Sequence, residues 1–122
     1  EDGIRDRSPS RGLGDVYKRQ GYMYQYGTGI RKDYKEAVRW YRLAAEQGYP
    51  DAQYNLGISY YYGDGVIEDD VYAHMWVNIS ASLGYENGSE ARDTIAQKMT
   101  SADISKAQKL ARECQAKNYK GC

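Results

Sequence analysis

The sequence predicts an all-α solenoid of antiparallel helix pairs, and three observations carry that prediction. The stretch 21–49 occurs again as 57–85, at an offset of 36 residues, with identity at Gly21/Gly57, Tyr24/Tyr60, Tyr26/Tyr62, Gly27/Gly63, Gly29/Gly65, Asp33/Asp69, Ala37/Ala73, Trp40/Trp76, Ala45/Ala81, Gly48/Gly84 and Tyr49/Tyr85. A fixed period of this size marks an array in which no unit can bury its apolar face alone. Each copy carries apolar and small residues at helical spacing on both sides of a Gly-x-Gly corner. Finally, the 122 residues include 14 Tyr and 2 Trp but no Phe. Tyrosine covers a core with its ring and keeps its hydroxyl at the solvent edge, which suits thin layers with one wet face.

Composition narrows the function classes. Lys+Arg and Asp+Glu both number 17, so the net charge is zero and no global field draws in nucleic acid or an anionic membrane. Mean hydropathy is −0.87, no apolar run is long enough to span a bilayer, and the first residues hold no apolar signal core. The length allows one small domain with a modest core.

Residues 1–20 are rich in charge and glycine, with no apolar periodicity, and Lys18 and Gln20 stand where the second copy has Tyr54 and Leu56. The pattern therefore predicts a boundary at Gly21, with 1–20 a non-native cloning scar or a disordered basic arm. Residues 21–49 then form a partial repeat, 50–85 a complete one, and 86–122 the capping helices and tail.

In the partial repeat, residues 21–26 read as the end of a helix, and Gly27 as its left-handed cap. Asp33 opens the next helix as N-cap, with Glu36 in the capping-box place. Ala37, Trp40, Tyr41, Ala44 and Ala45 form its apolar stripe, Gly48 ends it, and Pro50 suits the first position of the helix that follows. That third helix sets Ala52, Leu56 and Tyr60 on one stripe, and Gly57 permits close helix contact at about 1 kcal/mol relative to Ala. Gly63-Asp64-Gly65 repeats the corner, since a β-hairpin at Asp-Gly conflicts with the helical stripes on both sides. Asp69 or Asp70 caps a fourth helix with Ala73, Trp76, Val77, Ser80 and Ala81 inward, ending at Gly84.

After Tyr85 the period slips. Ile95, Ala96 and Met99 continue the inner stripe if Glu86-Asn87-Gly88 adds three residues, and the glycine corner is then lost. Thr100 caps directly with Asp103 in the N3 place. Ala107, Leu110, Ala111 and Cys114 face inward, while Lys106, Lys109, Arg112, Glu113 and Lys117 form a solvated outer face, as a terminal repeat requires.

The frame Ala-x-Tyr-x-Leu-Gly-x-x-Tyr-x-x-Gly-x-Gly-Val at 52–66, followed by Asp69, Ala73, Trp76, Ala81 and Gly84, resembles the Sel-one-like repeat (SLR) family of tetratricopeptide-like α/α repeats. The resemblance covers about 100 residues, and 89–118 is similar to the divergent helical pair that closes such arrays. It implies a right-handed α-solenoid with a capping helix pair, and a non-catalytic adaptor or scaffold that works through its concave face. A family defined by packing residues implies no particular partner.

In helix-pair solenoids the first helix of each unit lines the concave surface. With Ala52, Leu56 and Tyr60 turned to the core, the concave positions are Asp51, Tyr54, Ile58, Tyr61 and Tyr62, with Tyr22, Gln25 and Tyr26 in the first unit and Asp93 and Gln97 in the cap. A groove of Tyr22, Tyr26, Tyr54, Tyr61 and Tyr62, with Asp51 and Ile58, is the expected binding face for a protein or peptide segment. The other reading is that these rings seal gaps between units. Self-association through an exposed apolar N-terminal face is a further expectation, on the reading that the chain is a fragment of a longer array.

The chemistry of catalysis is sparse. His74, the single histidine, lacks ligand-spaced partners, so neither a metal site nor a cofactor is expected. Cys114 and Cys122 are spaced as in the cysteine-rich, secreted branch that the resemblance brings in. That similarity implies a disulfide and a periplasmic or secreted location, with a buried free cysteine plus a tail thiol as the other reading. Some members of that branch are β-lactam-interacting or cell-envelope hydrolases, which makes such an enzyme the alternative function. No serine here has lysine three residues on, and phosphate-loop, dinucleotide and zinc-protease patterns are absent, so the enzyme reading is set aside.

Overall fold

The computed structural model describes residues 9–122, and their side chains from Leu13 onward. Among these residues the chain forms six helices and no strand: α1 (Pro9–Tyr26), α2 (Tyr34–Ala45), α3 (Pro50–Tyr62), α4 (Asp70–Ser82), α5 (Gly88–Ala96) and α6 (Ser101–Ala116). Each of α1 to α4 packs on the next, and α4 carries both α5 and α6.

The two glycine corners are built from the same hydrogen bonds. Thr28 N–H donates to Met23 O at 3.1 Å and Asp33 N–H to Tyr24 O at 2.9 Å. One period later, Asp64 N–H donates to Ser59 O at 2.9 Å and Asp69 N–H to Tyr60 O at 3.0 Å. The Thr28 and Asp64 bonds are the six-to-one closure that a left-handed residue at the helix end permits, and Gly27 (φ 68°) and Gly63 (φ 71°) supply it.

Side-chain caps set the helix starts. Asp33 accepts from Glu36 N–H at 3.2 Å, Asp69 from Tyr72 N–H at 3.1 Å, and Thr100 from Asp103 N–H at 3.1 Å. Asp69 rather than Asp70 is therefore the cap of α4. Only half of the first capping box forms, because the Glu36 carboxylate turns outward to the Arg39 guanidinium at 3.0 Å.

Between the helices, Trp76, Tyr41, Leu56, Met75 and Ile79 are fully buried. Close approach depends on two glycines one period apart. A Cβ at Gly21 would lie 2.5 Å from the Tyr41 ring, and one at Gly57 would lie 2.7 Å from Val77 Cγ1 and 3.0 Å from the Ala73 carbonyl. Ser80, also sealed inside, donates its hydroxyl to Pro50 O at 2.8 Å and pins α4 to the start of α3.

The structure corrects two sequence expectations. The predicted boundary at Gly21 does not hold for 9–20, because α1 runs unbroken from Pro9 into the corner. Lys18 and Gln20 are good helix formers, and Lys18 uses its polarity rather than wasting it. Its ammonium meets Asp51 at 2.7 Å while lying 5.6 Å from the centre of the Tyr49 ring. The rest of the expected arm, residues 1–8, lies outside the described residues. The second correction concerns Trp40, which is half-buried against Tyr17 (ring centroids 5.6 Å apart) and under the Arg39 guanidinium (4.8 Å), whereas Trp76 is sealed in the core.

Candidate functional site

A hollow of about 430 Å³ opens between α3 and α5. From α3 it takes Tyr54, Ile58, Tyr61 and Tyr62, four of the seven residues expected on the concave face. The i, i+4, i+7 and i+8 spacing of these residues puts them on one stripe, turned from the stripe of Ala52 and Leu56 that is buried in the core. Tyr62, at the last turn before the Gly63 corner, is 65% exposed. Its ring stands edge-on to Tyr61 with centroids 5.0 Å apart, and Tyr54 leans on Tyr85 at 5.0 Å.

The opposite wall belongs to α5 and is polar: Glu90 and Thr94 with Asn87 at the helix start, interrupted by Ala91 and the buried Ile95. These are not the cap residues read from the sequence. Asp93 instead points outward beside Arg92 Nε at 3.3 Å, because α5 presents to α3 the face roughly one helix quadrant away. Burial raises the Tyr54 hydroxyl pKa above the ordinary value, and the neighbouring Tyr62 and Glu90 add to the shift. The phenol thus stays protonated as a hydrogen-bond donor into the hollow. On the rim, Lys98 Nζ sits 4.5 Å from the centre of the Tyr61 ring.

The remaining expected contact residues lie elsewhere on the surface. Tyr22 and Tyr26 stack on each other along α1, with centroids 6.4 Å apart, and Tyr26 is 66% exposed. Tyr22 also stands edge-on to Tyr41 at 5.8 Å, so it is part wall and part filler. Asp51 is already engaged: one oxygen takes the Lys18 ammonium at 2.7 Å and the other accepts from Ala52 N–H at 2.9 Å. Although burial alone would lower it, the Lys18 pKa is raised by that hydrogen bond and by the Asp51 charge. Leu13 and Val16, on α1, are 45% and 48% exposed.

Cys114 and Cys122 are joined by a disulfide, with Cα atoms 5.7 Å apart. His74 is buried on α4, with its pKa lowered first by burial and then by Arg92, against the pull of Asp93. Among the described residues no group of three or more His, Cys, Asp and Glu side chains is placed to hold a metal ion, and no helix is long and apolar enough to cross a membrane.

Sequence reasoning missed Lys18, Tyr85, Asn87, Glu90 and Thr94. The signal for Tyr85 was present, since it is the repeat partner of Tyr49. Nothing periodic marked the α5 residues, because the corner that would have fixed their register is deleted in the cap.

The fold is shared with solved structures, among them these two. A protective antigen present in uropathogenic Escherichia coli strains, displaying an SLR fold, superposes with a TM-score of 0.82 at 30% identity over 90% of this chain and 25% of its own. A Sel1 repeat protein from Oxalobacter formigenes does so with a TM-score of 0.68 at 30% identity over 75% of this chain and 38% of its own. The chain thus spans well under half the length of either. No curated protein matches it in sequence. The profile of the Sel1 repeat matches residues 12–49 and again 50–85, the second match starting at the first residue of α3. With two consecutive repeats matched and the solenoid packing in place, the chain belongs to the Sel1 repeat family.

Proposed function

We propose that this chain is a non-catalytic interaction module that holds a segment of a partner protein in its concave, Tyr-rich groove. The α3–α5 hollow would be the centre of that groove. Tyr22 and Tyr26 would extend the aromatic lining along α1, and Asp51, tied to Lys18, would set the polar floor between them. Membership of a family of interaction repeats supports the coarse reading. The observation that carries the finer one is the convergence of Tyr54, Ile58, Tyr61 and Tyr62 on an open hollow, with Tyr62 two-thirds exposed. Rigid tyrosine rings give large contact area at low entropic loss, and core packing alone gives no reason to leave one in solvent.

A photo-crosslinking side chain placed at Tyr62 should give discrete adducts with a partner in extracts of the source cell, whereas one at Ile67, exposed on the corner outside the hollow, should not. Tyr61→Ala should abolish the adducts while leaving the melting temperature nearly unchanged. If Tyr54→Ala and Tyr61→Ala each remove about 3–5 kcal/mol of stability, as buried aromatics do, the rings are filler and the groove reading fails.

A further inference from the structure

We infer that the α3–α5 hollow is a seat for a cationic side chain, lysine or arginine, carried by an extended peptide segment; this deepens the groove reading above and rests on it. The first ground is charge complementarity. Among the described residues lining the hollow, Glu90 is the single carboxylate, it forms no ion pair with any of them, and no lysine, arginine or histidine shares the lining. An anionic segment would meet this carboxylate and the negative faces of three phenol rings. A wholly apolar side chain would offer no partner to the exposed polar groups of the α5 wall, Glu90, Thr94 and Asn87, which would keep their water instead of contributing to binding.

The second ground is the ring geometry. Tyrosine faces attract cations within about 6 Å of the ring centre. One ring of this hollow already does so within the chain, since Lys98 Nζ lies 4.5 Å from the centre of Tyr61. That contact sits on the rim, which leaves the rings of Tyr54 and Tyr62 and the Glu90 carboxylate for an incoming cation. The volume, about 430 Å³, is of the size that seats a side chain with part of its backbone. Half-buried Tyr54, its phenol protonated, can meanwhile donate to a main-chain carbonyl of the same segment.

The test uses the full chain, isotopically labelled, titrated by NMR with three capped pentapeptides that carry Lys, Leu or Glu between pairs of glycines. The Lys peptide should shift the amides of Tyr54, Ile58, Glu90 and Thr94, and bind about tenfold more tightly than the Leu peptide, as a partly desolvated cation–π contact with a neighbouring carboxylate predicts. Glu90 is on the surface, so Glu90→Gln should fold normally. It should weaken the Lys peptide about fivefold and leave the Leu peptide unchanged. Equal binding of the Lys and Leu peptides would overturn the cationic seat while leaving the groove intact, and tighter binding of the Glu peptide would overturn it by sign. If no peptide moves resonances of α3 and α5, both readings fall.

Discussion

Lys120 Nζ donates to the main-chain oxygen of Glu46 at 2.7 Å, across 74 residues of sequence, and so fastens the last turn of the chain to the end of α2. Beside it the Tyr119 ring lies where a Cβ on Gly48 would come within 3.4 Å, and Asn118 and Tyr119 hold positive φ to bring it there. A cation at a helix C-terminus meets unpaired carbonyls and the negative end of the helix dipole. The Cys114–Cys122 bridge closes this tail into a loop, which makes the clasp dependent on the disulfide.

Cys122→Ser should therefore lower stability by about 2–3 kcal/mol, the loop-entropy value for a bridge this short in sequence. Thermal melts followed by circular dichroism provide the check. Reductant should bring the wild-type midpoint down to that of Cys122→Ser and leave the variant unmoved. Hydrogen exchange should quicken at the end of α2 as well as in the tail, because the Lys120 contact is lost with the bridge.

The two repeat tryptophans should behave differently despite their equivalent positions. Trp76 is sealed, so Trp76→Ala should remove about 3–5 kcal/mol. Trp40 keeps part of its ring in solvent and rests on Tyr17 and Arg39, so Trp40→Ala should cost about 1–2 kcal/mol. Denaturant titration of the two variants measures the gap directly. Equal losses would mean that Trp40 packs as deeply as its counterpart.

That difference shows where the sequence was legible and where it was not. Corners and caps could be read because their causes are local: Gly27, Gly63, Asp33, Asp69 and Thr100 each satisfy backbone groups within a few residues. The stripe rule also found Leu56, Trp76 and Ala111. It failed at Trp40, because periodicity gives a direction and not the neighbour that covers it. It failed again at Lys18, whose reason for being on a packed helix is Asp51 at the start of α3, in the next repeat. The α3 half of the hollow was visible as an i, i+4, i+7, i+8 set, while its α5 half depended on a rotation that only packing against α4 decides.

Gly57→Ala tests the close approach of α3 and α4. Alanine improves helix propensity by about 1 kcal/mol, but its Cβ would press on Val77 Cγ1 at 2.7 Å and on the Ala73 carbonyl at 3.0 Å. Backbone cannot swing aside, so the strain of about 1–3 kcal/mol should win and the variant should be less stable than wild type. Combining it with Val77→Ala should recover part of the loss, a non-additivity readable in a double-mutant cycle. A stabilised single variant would mean the helices part at little expense.

His74 should make the fold sensitive to mild acid. It is buried with its Nδ1 lacking a hydrogen-bond partner, and burial followed by the nearby Arg92 depresses its pKa, against the weaker pull of Asp93. The unfolded chain takes up a proton near the ordinary value of about 6.5, before the folded chain does. Stability is then full above that value and falls as pH drops towards the folded pKa, by at most about 1.4 kcal/mol for each pH unit in that window. Denaturant titrations at about pH 7.5 and about pH 5.5 bracket the unfolded value while most carboxylates stay ionised. The wild type should be weaker at the lower pH and His74→Gln should not change with pH, whereas an equal loss in both would move the cause from His74 to the carboxylates.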